Sequence, residues 1–239
     1  MVGIHQPMYL PWLGYFERVA RCDAFVLLDD AAYSRNYFIN RNRIRTKEGW
    51  SWLTVPVRST GRAGQPITEV EVDGNRNWQA KHWRSLAYSY GQAPHFAGHE
   101  EFFGGFYTRD HGRLIDVLME PFGYLLRALG IRTPVFRSSE LGVEGRKEGR
   151  LLAICEQLGA DEYLSGPSGR DYLDPAAWRD AGIEVFFQDY RHPVYPQVQG
   201  GFFPEMSIVD LLFNCGPESL RILTGSQPVY GRAPAGGSP

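Results

Sequence analysis

Residues Ala24–Leu28 (AFVLL) are apolar at every position and end on Asp29 and Asp30. A strand with one wet face alternates polar and apolar residues, so a continuous run marks a strand covered on both faces, as in a parallel sheet. Val2–His5 reads as an earlier strand and Trp12–Arg21 as the helix between them. Together they make a βαβ unit, whose crossover is right-handed. The rhythm returns later. Pro134–Arg137 reads as a strand, Lys147–Leu158 as a helix, Glu162–Ser165 as a strand, Pro175–Ala181 as a helix and Ile183–Gln188 as a strand. Ser207–Asn214 is a final helix with Ser207 as its N-cap. The expected fold class is α/β, a three-layer, mainly parallel, Rossmann-like sheet.

Between these halves the pattern changes. Ala31–Gly49 has no clean period, Trp52–Val57 reads as a strand, Arg58–Pro66 as a loop and Ile67–Val72 as an edge strand. Asn77–Tyr90 reads as a helix, and Phe102–Gly130 as largely helical, interrupted near Pro121 and stopped at Gly130. The expectation is one α/β domain over residues 1–225, with a cap-like insertion at about 31–130 and a disordered Gly/Pro/Ser-rich tail at 226–239.

With 43% hydrophobic and 22% charged residues, the chain can build a core. A net charge of −2 gives no whole-chain footprint for DNA or RNA, although Arg35, Arg41, Arg43, Arg45 and Lys47 form a local basic run. The cysteines, Cys22, Cys155 and Cys215, lack metal spacing and read as buried reduced thiols of a cytoplasmic protein. His82, His95, His99 and His111 have no zinc-ligand spacing, and no metal site is expected. The N-terminus does not read as a signal peptide, and no apolar run reaches the ~20 residues that span a bilayer.

The candidate chemistry lies at strand ends. His5 and Gln6 follow the first strand, where an imidazole can exchange a proton near neutral pH, or can simply satisfy a backbone carbonyl. Tyr9, Trp12 and Tyr15 follow in a proline-held loop and helix start. Asp29 and Asp30 end the second strand and would bind an amine or a ribose hydroxyl, or would be solvated caps. If that strand continues, their side chains point to opposite faces. Tyr33, Asn40, Arg41, Asn42 and Arg43 form either an anion site with stacking rings or an edge strand with a wet face. The turn SGPSGRDYL, with Ser165, Ser168 and Arg170, is either a backbone-amide nest for anions or a plain turn. His192–Gln197 is held extended by its prolines, as a clamp against the sheet or as a contributor to the cleft.

The segments HQPMYLPWLGYF (5–16), FVLLDD with YSRNYFINRNRI (25–44), WLTVPV (52–57), YLSGPSGRDYL (163–173) and YPQ with SIVDLLFNCG (195–216) resemble the WbqC-like family over nearly the whole domain. The resemblance implies a role in O-antigen or other biosynthesis and transfer of glycine. Where the family pattern places Val-Gln-Tyr or Val-Gln-Phe, this chain has Ala31-Ala32-Tyr33. A fainter likeness joins the opening to nucleotidyltransferases with a His-x-Gly-His signature and a HUP-type sheet, with Tyr15 in place of the second histidine.

The function expected from these residues is an acyl or aminoacyl transferase, possible substrates being an activated amino acid and an amine on an amino sugar or natural-product intermediate. ATP or the activated amino acid would be a co-substrate, and aminoacyl-tRNA a possible partner. The alternatives are a nucleotidyltransferase or ATP-dependent ligase, and a non-catalytic module of a biosynthetic complex.

Overall fold

The structure is a computed structural model and describes residues 1–35, 37–225 and 231–232. The first unit is β1 (Val2–His5), α1 (Leu13–Arg21) and β2 (Ala24–Leu27). A hairpin follows, β3 (Arg41–Thr46) and β4 (Gly49–Thr54). Three helices come next: α2 (Trp78–Tyr90), α3 (Ala97–Tyr107) and α4 (Leu114–Leu129). The chain re-enters the sheet as β5 (Val135–Arg137) and continues with α5 (Ser138–Leu141), α6 (Lys147–Gln157) and β6 (Glu162–Ser165). Then come α7 (Pro175–Asp180), β7 (Glu184–Phe187), α8 (Ile208–Cys215), α9 (Ser219–Thr224) and β8 (Gly231–Arg232).

The main sheet has the order β5-β2-β1-β6-β7-β8, in which the first five strands are parallel and β8 is antiparallel to β7. Helices cover both faces, as the continuous apolar runs require. On one face Phe25, Leu27 and Leu164 pack with Leu13, Phe16 and Val19 of α1 and with Ile208 and Leu212 of α8. On the other face Val2, Ile4, Val26 and Tyr163 pack with Ile154 of α6 and Trp178 of α7, whose indole stacks on Tyr163 at 4.7 Å. The fold is therefore the expected three-layer, Rossmann-like α/β type. Ser207 caps α8 by accepting from the Val209 amide, as its position suggested.

Three elements differ from the sequence expectation. Ile67–Val72 is not a strand. Ile67–Glu69 forms a 3-10 turn, and single bridges join Val57 to Val72 and Glu71 to Arg113. Those bridges explain the second difference. The backbone of 70–72 exchanges bonds with 112–114 (Leu114 N–H to Val70 O at 2.8 Å, Val72 N–H to Gly112 O at 3.0 Å), so the helical stretch breaks at 108–113. Pro121 lies inside α4 without ending it. Third, the Arg/Asn-rich stretch is not wholly irregular, because Arg41–Thr46 pairs in full register with Gly49–Thr54. Of the expected tail, Gly231–Arg232 pairs with Phe186 and Phe187, and the remainder lies outside the described residues.

The hairpin holds the loop after β1. Asn42 is buried, its Nδ2 donates to Leu10 O at 2.7 Å, and its Oδ1 accepts from the Arg43 amide at 2.8 Å. Replacing Asn42 by Ala leaves the Leu10 carbonyl without that donor, a loss of about 1–3 kcal/mol. The expected result is a lower urea midpoint with an unchanged slope; an unchanged midpoint would show that the hairpin does not hold this loop.

Candidate functional site

The sheet reverses its strand order between β1 and β6, the place where doubly wound sheets open a crevice at their carboxyl ends. β1 stays paired with β2 through His5↔Leu27, and Leu28 N–H donates to His5 O. With β6 the pairing stops at Gly3↔Leu164. His5 therefore stands where the two strands part. Its Nδ1 lies 2.8 Å from Gln6 O, and a carbonyl only accepts, so Nδ1 carries the proton and Nε2 keeps a lone pair. Burial first, and then the nearby Arg18 cation, push the imidazole down to about 3 against the Gln6 bond. His5 is neutral at pH 7. Tyr15 donates to the same Gln6 carbonyl at 3.2 Å and presents its ring to His5 at 5.1 Å. Burial raises the Tyr15 phenol, so it stays neutral. The Gln6 side chain is half-buried and is hydrogen-bonded to no described residue.

Asp29 and Asp30 both turn toward one neighbour, against the expectation of opposite faces. β2 ends at Leu27, so the strict alternation of a strand does not reach them. Asp29 is fully buried and accepts from Arg137 Nε (2.7 Å), the Ser139 amide (3.0 Å) and Ser139 Oγ (2.8 Å). Asp30 accepts from Arg150 (2.6 Å) and Ser138 Oγ (2.5 Å), and Ser138 Oγ also lies 3.3 Å from Asp29. Burial acts to raise Asp30, but the Arg150 and Ser138 bonds outweigh it and hold the carboxyl below its usual range.

The residues of the loop and hairpin separate into two groups. Tyr9 is buried and shares its hydroxyl with His82 and Tyr107. Asn40 donates to Val55 O, and Arg43 pairs with Glu205 at 2.7 Å. Together with Asn42, these side chains tie segments of the chain together. Trp12 packs edge-on against Tyr190. Tyr33, Asn40 and Arg41 do share a small cleft of about 280 Å³ with Arg35 and Arg76, and the Arg41 guanidinium lies over Trp52 at 4.4 Å.

At β6, Ser165 is buried and its Oγ has no hydrogen-bond partner among the described residues. It faces the sheet side of Tyr163, opposite to Leu164 and to the α1 side. Pro167–Asp171 forms a 3-10 turn in which Ser168 is exposed and Arg170 lies over Phe187. A larger cleft of about 1330 Å³ runs from Leu28 and Asp30 past Arg146, Lys147 and Arg150 to Tyr172. It borders both the acidic loop and the end of the SGPSGRDYL turn.

Sequence reasoning missed Arg137, Arg150 and the Ser138–Ser139 pair, which lie more than a hundred residues from the aspartates they hold. It also missed Arg18, buried on α1. The available signal was a cation on the same stripe of α1 as Tyr15 and Cys22. The cysteines are free thiols, and burial raises Cys22 and Cys155 to about 12 and Cys215 to about 11. The other histidines have structural contacts: His99 with Tyr124, His111 with Phe106 O, and His95 over Gly216. No helix among the described residues is long and apolar enough to cross a membrane.

The WbqC-like protein family model matches residues 6–222. The chain belongs to the WbqC-like family. A Mycobacterium tuberculosis relative, the uncharacterized protein Rv1507c, is 39% identical over 220 residues, covering 91% of this chain and 95% of its own length. No solved structure matches the chain. The structure accounts for two of the WbqC-like segments together. Tyr195 and Gln197 of YPQ each donate to Asp210 of SIVDLLF at 2.7 Å, and Gln197 also bonds both ways to the Phe203 backbone. His192–Gln197 thus clamps onto α8.

The depressed His5 imidazole makes stability depend on pH. Between the unfolded value of 6.5 and the folded value of about 3, the unfolded chain binds the proton and the native chain does not. The His5 contribution is fully present above 6.5 and is lost as pH falls toward 3, at up to about 1.4 kcal/mol per pH unit. Chemical unfolding of His5→Gln across that window should show a shallower fall than the parent; parallel curves would mean that His5 titrates normally.

Proposed function

We propose that this WbqC-like protein is a biosynthetic acyl or aminoacyl transferase, joining an activated amino acid such as glycine to an amine of an amino sugar or natural-product intermediate. The supporting observation is the neutral His5 imidazole, fixed by its Nδ1–H bond to Gln6 O so that Nε2 is the open acceptor. In the reaction, the amine nitrogen attacks the activated carbonyl. The new C–N bond forms, the C–O bond to the phosphate or ribose oxygen breaks, and the amine proton passes to Nε2. A bound anion near Arg18 offsets its field and raises the proton affinity of His5 for that step. The unpartnered Gln6 amide, a donor, suits the oxyanion.

A second reading, nucleotidyl transfer or ATP-dependent ligation, draws on the reversal of strand order between β1 and β6. Against it, Tyr15 is neutral and commits its hydroxyl to the Gln6 carbonyl, so it brings no charge to a phosphate.

Incubation with glycyl adenylate or glycyl-tRNA and a nucleotide-linked amino sugar should yield an amide by mass spectrometry, and His5→Ala should lower its formation at least a hundredfold. Absence of amide with both donors removes the transferase reading. Pyrophosphate release from ATP and magnesium would favour the second.

A further inference from the structure

Arg18 is 4% exposed, yet no described residue forms a hydrogen bond or ion pair with its guanidinium, and its Nε is buried without a partner. The other arginine with comparable burial, Arg45, shares an unpartnered Nε but donates from Nη1 and Nη2 to the carbonyls of Gly49 and Gly200. An unpaired buried cation loses hydration and gains nothing in return, so it weakens the folded state. Its surroundings do not compensate. The guanidinium lies 5.9 Å from the Phe25 ring, a weak contact at that distance.

Its position points to a ligand. α1 runs back from the carboxyl edge of the sheet, and helical side chains lean toward their own N-terminus. Arg18 thus reaches up to the point where β1 and β6 separate. A Cβ on Gly166, the residue after β6, would stand 2.7 Å from Nη1, so the guanidinium lies directly against that backbone. In the register of β1 with β6, Gly166 is level with His5, whose imidazole feels the Arg18 charge. Gly166, His5 and Gln6 are each partly exposed, so solvent reaches the chain at this level.

We propose that Arg18 is the anchor of an oxyanion-binding site at the β1–β6 crevice, taking a phosphate or carboxylate group of a small molecule edge-on through the in-plane N–H donors that the fold leaves unused. Gly166 supplies the room for this approach, and the Nε2 lone pair of His5 faces the same crevice as an acceptor for a donor on the ligand. The site deepens the transferase reading, in which such an anion raises the proton affinity of His5, but binding alone tests it.

The test uses the full chain at constant ionic strength, with inorganic pyrophosphate and AMP as phosphate probes and N-acetylglycine as the carboxylate probe, followed by calorimetry and thermal melting. Wild type should bind at least one class and be stabilised by it, and the class that binds identifies the group. Arg18→Met should weaken that binding at least tenfold. Without any anion it should melt at or above the wild-type temperature, because an unpaired buried charge has been removed. Gly166→Ala should keep the fold and also weaken binding at least tenfold by pushing the guanidinium aside, which keeps the test decisive if Arg18→Met does not fold. Failure of wild type to bind all three probes, or unchanged binding in the variants, overturns the site. A large fall in the melting temperature of a folded Arg18→Met would show a structural role for Arg18 and overturn it as well. Amide formation by a chain that binds none of these probes would leave the transferase reading standing without this site.

Discussion

The unequal pairing of β1 is the constraint on which the candidate site depends. One edge of the strand is zipped to β2 through His5, while the other leaves β6 after Gly3. The paired edge fixes the height of His5. Gln6, Gly166 and the Arg18 guanidinium lie along the parted edge. Had β1 continued in register with β6, the backbone around His5 and Gly166 would have joined the slanted hydrogen-bond ladder of a parallel pair and held the two strands together at this level. A parallel sheet with order reversal creates such a gap because the connections leave the two central strands in opposite directions.

Around that gap the chain is held by buried polar groups bonded to distant backbone or charge. Asn42 ties the loop after β1 to the hairpin, Asp29 ties the end of β2 to the start of α5, and Asp210 ties the extended 192–197 segment to α8. Each is costly to bury alone and becomes tolerable only because its partners are in place. Many of the polar residues in the family-like segments are bonded in this way. Asn40, Asn42, Arg43 and Gln197 position the wall, whereas His5, Gln6 and Arg18 retain bonding capacity directed at the crevice.

The difference between these two groups was not legible from residue type. In FINRNRI the arginines look alike, yet Arg43 is paired with Glu205, Arg45 is spent on backbone carbonyls, and Arg41 stacks on Trp52 beside a small cleft. Which arginine is satisfied depends on partners from residues 49–52 and 200–205. Arg18 shows the converse. In sequence it is an ordinary charge on a helix, and only the packing of α1 between β1, β6 and α4 makes it a buried, unpaired one. The Ile67–Val72 pattern misled for a related reason, since alternation marks a segment with two different faces, and single bridges to 57 and 113 produce the same pattern without a strand.

The sequence by itself determined the fold class, the family and most element positions, because continuous apolar runs, helical spacing, Ser207 and Gly130 act through local sterics and burial that any tertiary arrangement must respect. It also placed His5, Gln6, Asp29 and Ser165 at strand ends. The tertiary structure decided the order of those strands and the point at which β1 and β6 part. It also decided which polar side chains were matched by partners far away in the chain. Those outcomes depend on long-range pairing, which no local pattern encodes: the aspartates meet Arg137 and Arg150, and Arg18 forms no ion pair among the described residues.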